Sequence, residues 1–257
     1  MRNASKAARA HSVQFEDKIK KQFSARSAEF DISARWISDE RLIGAHTDLA
    51  GGVLSKALDL CCGTGQVGRA LKQKGWDACG LDICSTMVKT SFHYFPVVEG
   101  KAEEIPYKAR QFQLVVCRQA FQFLNARKVL SEIARVLKPK GICIISLTVP
   151  FSEKDSSWLF KIHRVKQPLL LKFHTADSLR EDLSSAGFSI LECRTLVVRE
   201  SINRWMAYSP ELDETVRKRV CFMVKNAPAA YKEARRVEIV NGEIYEDWNW
   251  IVLKASF

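Results

Sequence analysis

Residues 58–68 read Leu-Asp-Leu-Cys-Cys-Gly-Thr-Gly-Gln-Val-Gly, an apolar run entering three glycines and a helix expected from Gln66. A strand that turns into a helix in this way leaves backbone N–H groups where a carboxylate- or phosphate-bearing ligand can sit. Gly63 and Gly65 allow the tight turn and put no Cβ in the ligand's way. With Gly68 they also match Gly-x-Gly-x-x-Gly, the dinucleotide pattern, so the turn alone fits two classes of nucleotide site. Asp59 inside the strand and the downstream sequence separate the two.

Downstream, strands and helices alternate. Strands are expected at Ala57–Cys61, Cys79–Ile83, Phe95–Glu99, Phe112–Cys117 and Gly141–Leu147, with helices at Gln66–Lys74, Ser85–Ser91 and from Asn125 to Leu137. Ser85 and Asn125 are the expected caps, and Lys138-Pro139-Lys140-Gly141 is expected to stop the third helix. This rhythm implies an α/β fold, a parallel sheet with helices on both faces. Ligands of such sheets bind beyond the carboxyl ends of the strands, which here are Cys61–Gly65, Asp82-Ile83, Gly100–Glu103, Cys117–Gln122 and Thr148. Asp82, seventeen residues after Gly65, is placed to accept hydrogen bonds from both hydroxyls of an adenosine ribose.

The flanks read differently. Val13–Asp39 is a helical stretch carrying Phe15, Ile19, Phe23, Phe30 and Trp36, able to lie over the ligand site. After Pro150 the chain turns aromatic and basic through Phe173, then Thr175 caps a helix ending at Gly187 and Phe188–Val198 is a sixth strand. Residues 201–235 read as helical and inserted, and Val237–Val240, Asn241-Gly242 and Glu243–Leu253 form a hairpin signal. The whole chain, 1–257, is expected to be one domain. Residues 1–49 form a helical cover, 50–149 the cofactor-binding core, and 150–257 substrate-side insertions and closing strands.

In order and in register, three motifs resemble a class I S-adenosylmethionine-dependent methyltransferase: Asp59-Leu-Cys-Cys-Gly-Thr-Gly, Gly80-Leu-Asp82-Ile and Gly100-Lys-Ala-Glu103-Glu-Ile-Pro-Tyr107. Phe112–Leu124 and Val136-Leu-Lys-Pro-Lys-Gly-Ile142 continue the resemblance, which is strong over 50–150 and nearest to the ubiquinone/menaquinone C-methyltransferases and malonyl-carrier-protein O-methyltransferases. It implies a Rossmann-like, mostly parallel seven-stranded sheet with an antiparallel last strand. It also implies S-adenosyl-L-methionine as cofactor, with Asp59, Cys61, Gly63, Thr64 and Gly65 around the methionine end and Asp82 on the ribose. Ile83 and Met87 would lie against adenine, Ala102 would offer its backbone N–H with Glu103 beside it, and Cys117 would border the methionine portion. Lys101 departs from the Asp or Asn common before the Ala of the third motif.

Such a donor is already activated, so an enzyme can act by alignment and water exclusion, and needs a base only if the acceptor must lose a proton. No catalytic residue is assigned. Arg118, Gln122 and His163 are the candidates for the substrate pocket, Arg118 as a bidentate partner of an acidic acceptor. His174, Trp248 and Trp250 read as structural. No Asn-Pro-Pro-Tyr follows the fourth strand and no Pro precedes Cys117, which argues against the usual base methylations. No clustered His or Asp suggests a metal.

The net charge of +11 favours acidic partners, and its even spread along the chain favours a small anionic or carrier-protein-bound acceptor over nucleic acid. An RNA or protein acceptor remains the alternative, with an NAD-dependent oxidoreductase second, opposed by Asp59 and the missing second mononucleotide half. A cofactor-binding protein without transferase activity is a third reading. The eight cysteines form no Cys-x-x-Cys and read as reduced core residues of a cytoplasmic protein. No apolar run approaches the roughly 20 residues of a membrane span. Residues 1–14, basic and without acids, read as a frayed arm or an organelle-targeting segment.

Overall fold

The computed structural model describes residues 2–52 and 54–257, the side chains of residues 2–12 excepted. The side chains on which the reading of segment 1–14 rests therefore lie mostly outside the described ones. Strands β1 (Lys56–Leu60), β2 (Asp77–Asp82), β3 (Val97–Glu99), β4 (Phe112–Arg118), β5 (Leu137–Val149), β6 (Ser189–Ser201), β7 (Glu238–Val240) and β8 (Glu243–Ser256) form one sheet. The order is β3-β2-β1-β4-β5-β8-β6, with β7 attached to β8. Strands β1 to β5 pair parallel, whereas β8 runs antiparallel to both β5 and β6. The expected seven-strand sheet with a reversed last strand is present. The eighth strand is the short first arm of the hairpin turned by Asn241 and Gly242, both at positive φ.

The parallel strands are apolar on both faces because helices cover both. Along β4, Leu114 and Val116 point into one core, and Val115 and Cys117 into the other. Helices α1 (Arg2–Arg26), α2 (Phe30–Ser33), α3 (Arg35–Ser38) and α4 (Glu40–Ala50) precede the sheet. Helices α5 (Gln66–Gln73), α6 (Ser85–Phe92) and α7 (Ala126–Val136) connect its parallel strands. Then come α8 (Glu153–Lys166), α9 (Ala176–Ser185), α10 (Ile202–Ala207), α11 (Glu214–Lys225) and α12 (Ala229–Ala234). The caps at Asn125 and Thr175 form as the sequence implies.

Three local expectations give way to tertiary contacts. The stretch Val13–Asp39 is not one helix: a 3-10 turn at Ser27–Glu29 and extended Ala34 break it into α1, α2 and α3. Cys84, not Ser85, precedes α6, and its N–H donates 2.9 Å to Asp82 Oδ1, so the carboxylate caps the helix from the end of β2. Helix α7 ends at Val136, just before Lys138–Gly141 as expected, but β5 starts at Leu137 instead of Gly141, with Lys140 taken up at positive φ. Among the described residues no helix is long and apolar enough to cross a membrane.

Candidate active site: two clefts with a shared wall

Where β1 and β4 diverge, their carboxyl ends open a cleft of about 830 Å³. Its floor carries Asp59, Cys61, Cys62, Gly63 and Thr64 from β1 and its turn, and Asp82, Ile83 and Met87 after β2. Ile19, Phe23, Phe30 and Trp36 from the N-terminal cover close it from above.

The glycine turn does not simply present free N–H groups. Gly63 N–H donates to Asp82 Oδ2 at 2.8 Å, Gly65 N–H to the Cys62 carbonyl, and Gly68 N–H to Asp59 Oδ2 at 2.7 Å. The two aspartates therefore hold the turn and the start of α5 as well as facing the cleft. Among the described residues, no hydrogen bond engages Asp59 Oδ1. Burial pushes its carboxyl up to about 7, partly offset by the Gly68 bond, and burial also raises Asp82. Neither forms an ion pair among the described residues. Gly68 is fixed by packing: a Cβ there would lie 2.3 Å from the Phe95 ring.

The cover is latched at several points. Asp31 of α2 accepts from Thr64 Oγ1 at 2.5 Å and Gln66 Nε2 at 2.9 Å, which ties it to the glycine turn. Buried Glu200 of β6 accepts from the N–H groups of Arg35 and Trp36 at 2.9 and 2.6 Å, at the amino end of α3. Arg118 Nη2 donates 2.7 Å bonds to the carbonyls of Trp36 and Ile37 at the other end. An anion at the amino end and a cation at the carboxyl end suit the local peptide dipoles. Lys101, the departure from the motif, pairs with Glu16 of α1 at 2.7 Å and so also holds the cover.

Of the residues expected to bind cofactor, Asp59, Cys61, Gly63, Thr64, Asp82, Ile83 and Met87 line this cleft. Gly65, Ala102, Glu103 and Cys117 are not on its wall. Gly65 caps α5 at φ 87°, Ala102 and Cys117 are packed in the second core, and Glu103 accepts from Asn125 N–H at 3.0 Å. Arg118 lines this cleft and not its neighbour, and its bonds to the cover replace the expected grip on an acidic acceptor. A hydrogen bond with Cys117 together with burial raises the Cys61 thiol, and burial the Cys62 thiol, well above the ordinary range, so neither is a ready thiolate.

Residues 58–145 match the family model described as a methyltransferase domain. Over these residues the chain carries a methyltransferase domain. It is 29% identical over 161 residues to the demethylmenaquinone methyltransferase of Thermotoga maritima, covering 52% of this chain and 70% of that one. Of several further curated relatives it spans 27% to 54% of their length. A solved Bacillus halodurans structure superposes with TM-score 0.75 at 18% identity, over 83% of this chain and 97% of that one. Phosphoethanolamine N-methyltransferase 2 of Haemonchus contortus, solved with S-adenosyl-L-methionine, superposes at TM-score 0.55 and 18% identity, covering 84% and 52% of the two chains. At these identities the superpositions speak for the fold.

The first cleft suits that cofactor. Two buried carboxylates that form no ion pair among the described residues, with Arg118 only partly offsetting the burial of Asp59, favour a ligand that brings positive charge and hydroxyl donors, as a sulfonium, an ammonium and a ribose do. A dinucleotide would instead bring a pyrophosphate toward Asp59.

Beside it lies a second cleft of about 790 Å³. Phe23, Phe30, Trp36, Gln119 and Phe123 belong to both walls, so the two spaces meet there. The rest of the second wall comes from Gln122, Leu147 and Thr148 at the strand ends, α8, the following loop to His174, and Trp205 and Trp248. Gln122 and His163 thus lie together, as expected for a substrate pocket, while Arg118 stands apart. His163 packs against Trp205 and Trp248 and is held down to about 3 by burial, with Arg235 and Lys166 adding to it.

Sequence reasoning underrated four contributors. Trp36 and Phe30 read as packing residues because their spacing suits a helix face, yet both line both clefts. His174 read as structural, and only the fold brings it beside Gln122. Trp248 is 2% exposed and also on the second wall, whereas Trp250 is wholly core.

Proposed function

We propose that the methyltransferase domain transfers a methyl group from S-adenosylmethionine in the first cleft to a small-molecule acceptor in the second. The observation that carries this reading is the shared wall of Gln119, Phe123, Phe30, Trp36 and Phe23, which joins a carboxylate-lined space to an aromatic one. When bound, the cofactor supplies an electrophilic methyl carbon on a positively charged sulfur. The chain's own residues hold, align and dry the partners. Asp82 would take the ribose hydroxyls, the free Oδ1 of Asp59 the cationic methionine end, and Ile83 and Met87 the adenine, with Cys61, Gly63 and Thr64 shaping the floor. The latched cover excludes water from both clefts.

A cleft of this size lined by aromatic side chains supports a small molecule over RNA or protein, the alternative encouraged by the charge of +11. The test is incubation with methyl-labelled S-adenosylmethionine and an extract of the source cells, followed by separation of small molecules, protein and RNA. Label is expected in the small-molecule fraction. Label confined to RNA or protein would overturn the acceptor assignment and leave the cofactor site standing.

A further inference from the structure

We infer that the second cleft takes an uncharged, hydroxylated aromatic molecule, with its ring between the aromatic walls and its one hydroxyl proton donated to either of two alternative acceptors, His174 Nε2 and Gln122 Oε1. The inference rests on the reading of that cleft as the acceptor site, and it narrows the acceptor from an acid to a phenol.

The cations on the wall are already used. Arg26 Nε donates 2.9 Å to Glu211, and Lys172 Nζ reaches both oxygens of Asp182 at 2.8 and 2.6 Å. An anion placed beside the buried Arg26–Glu211 pair would have to take the cation from its carboxylate or lose its hydration without a counterion, which is costly; the Lys172–Asp182 pair is more exposed and already closed at short range. The +11 of the chain thus does not reach this cleft as available charge.

The unused polar atoms are neutral. Gln122 Nε2 donates to the Gln119 carbonyl at 2.9 Å, which leaves Oε1 buried without a partner. His174 is 4% exposed, and neither ring nitrogen has a hydrogen bond. The two residues are moored together, since the N–H groups of Leu171 and Lys172 donate to the Gln122 carbonyl at 3.0 and 3.3 Å. The charged groups facing the imidazole are Asp182, with Oδ2 3.6 Å from Nδ1, and Lys172, while the Phe121 ring packs at 5.5 Å. Burial and Lys172 hold His174 down to about 4 against the pull of Asp182, so it is neutral at neutral pH. The nearby carboxylate favours the proton on Nδ1, which leaves the Nε2 lone pair. Two unpaired buried acceptors call for a donor on the ligand.

The walls supply the ring contacts. Phe160 and Phe173 stack at 5.0 Å, Trp205 meets Trp248 edge-on at 4.8 Å, and Phe23 meets Phe123 edge-on at 5.6 Å.

The test is equilibrium dialysis of the full chain saturated with S-adenosylhomocysteine, against 2-naphthol, 2-methoxynaphthalene and 2-naphthoate. 2-Naphthol should bind about ten-fold more tightly than either of the others, the factor expected of one buried hydrogen bond. His174→Phe and, as a second and milder variant, Gln122→Met should each reduce that preference, together several-fold, and leave 2-methoxynaphthalene unchanged. Naphthoate binding as tightly as naphthol overturns the inference, as does a naphthol preference that survives both substitutions, or no retention of any probe by protein that retains S-adenosylhomocysteine. Failure to retain S-adenosylhomocysteine would instead overturn the cofactor reading beneath it.

Discussion

The first cleft is lined by two carboxylates outside any ion pair among the described residues, its one arginine, Arg118, being bonded to the cover, and the second by cations that already have carboxylates. Asp59 and Asp82 form no ion pair among the described residues, although the charge of Arg118 on the same wall pulls Asp59 down against its burial, whereas Lys172 and Arg26 are committed to Asp182 and Glu211. Net charge of the chain predicts neither. What a pocket selects is set by its uncompensated groups, because a compensated ion must first be taken from its partner. One space is prepared for a cation bearing hydroxyls and the other for a neutral ring, and Trp36 and Phe30 stand between them.

The comparison breaks most directly at Asp82. Asp82→Ala should weaken S-adenosylmethionine binding by about 2–3 kcal/mol through lost charge-assisted hydrogen bonds. Naphthol retention in the second cleft should change much less. Isothermal calorimetry on the full chain checks the first, and unchanged affinity would remove Asp82 from the ribose. Because Asp82 also holds the N–H groups of Gly63 and Cys84, thermal unfolding must be followed in parallel to separate folding from binding.

The two clefts also differ in how plainly they could be read before folding. The first is built from segments close in sequence: Asp59 to Gly68 is one strand–turn–helix, and Asp82 ends the next strand. Residue type, spacing and strand alternation suffice for such a unit. The internal use of the turn's N–H groups was not legible, because Asp82 reaches back nineteen residues to Gly63 and that contact exists only once β2 lies beside β1. Arg118 misled for a related reason: its target is a pair of backbone carbonyls in the cover, and backbone carbonyls carry no sequence signature. The second cleft joins Phe23, Gln122, His163, His174 and Trp248, which share no motif and meet only through tertiary packing. A histidine's environment decides its role, and nothing next to His174 in the chain announces that its ring nitrogens would be left unpaired.

Acidity sharpens the contrast. Burial holds Asp59 up at about 7, against about 3.8 when exposed, so its contribution to stability is fully present below the lower value and is lost as pH rises through 7. Cofactor binding runs the other way, since a cationic ligand favours the ionised carboxylate. Affinity for S-adenosylmethionine should therefore rise with pH between 5.5 and 7.5, by at most about ten-fold per unit. His163 and His174, held down to about 3 and 4, are neutral across that range. Naphthol retention should be flat there, and a parallel slope in both clefts would mean that one titrating group serves them together. The histidines make their own mark lower down: with folded values beneath the ordinary 6.5, they cost stability as pH falls from there toward 4 and 3.

The smallest expected effect concerns the cover that both clefts share. Lys101 and Glu16 meet at 2.7 Å, but their side chains are 37% and 19% exposed, and pairs of that kind contribute roughly 0–1 kcal/mol. The bonds from Glu200, Arg118 and Asp31 hold the same segment from the strand ends and the glycine turn, and Glu200 is 1% exposed. Lys101→Ala should thus shift S-adenosylmethionine affinity by less than about two-fold and leave the naphthol preference intact, as read by calorimetry and dialysis on one preparation. A loss of ten-fold or more in both clefts would place the anchor of the cover in α1, and would make the Lys at this motif position part of how the enzyme keeps its two ligands together. A loss in the first cleft alone would show that the cover divides into two latches, one over each ligand.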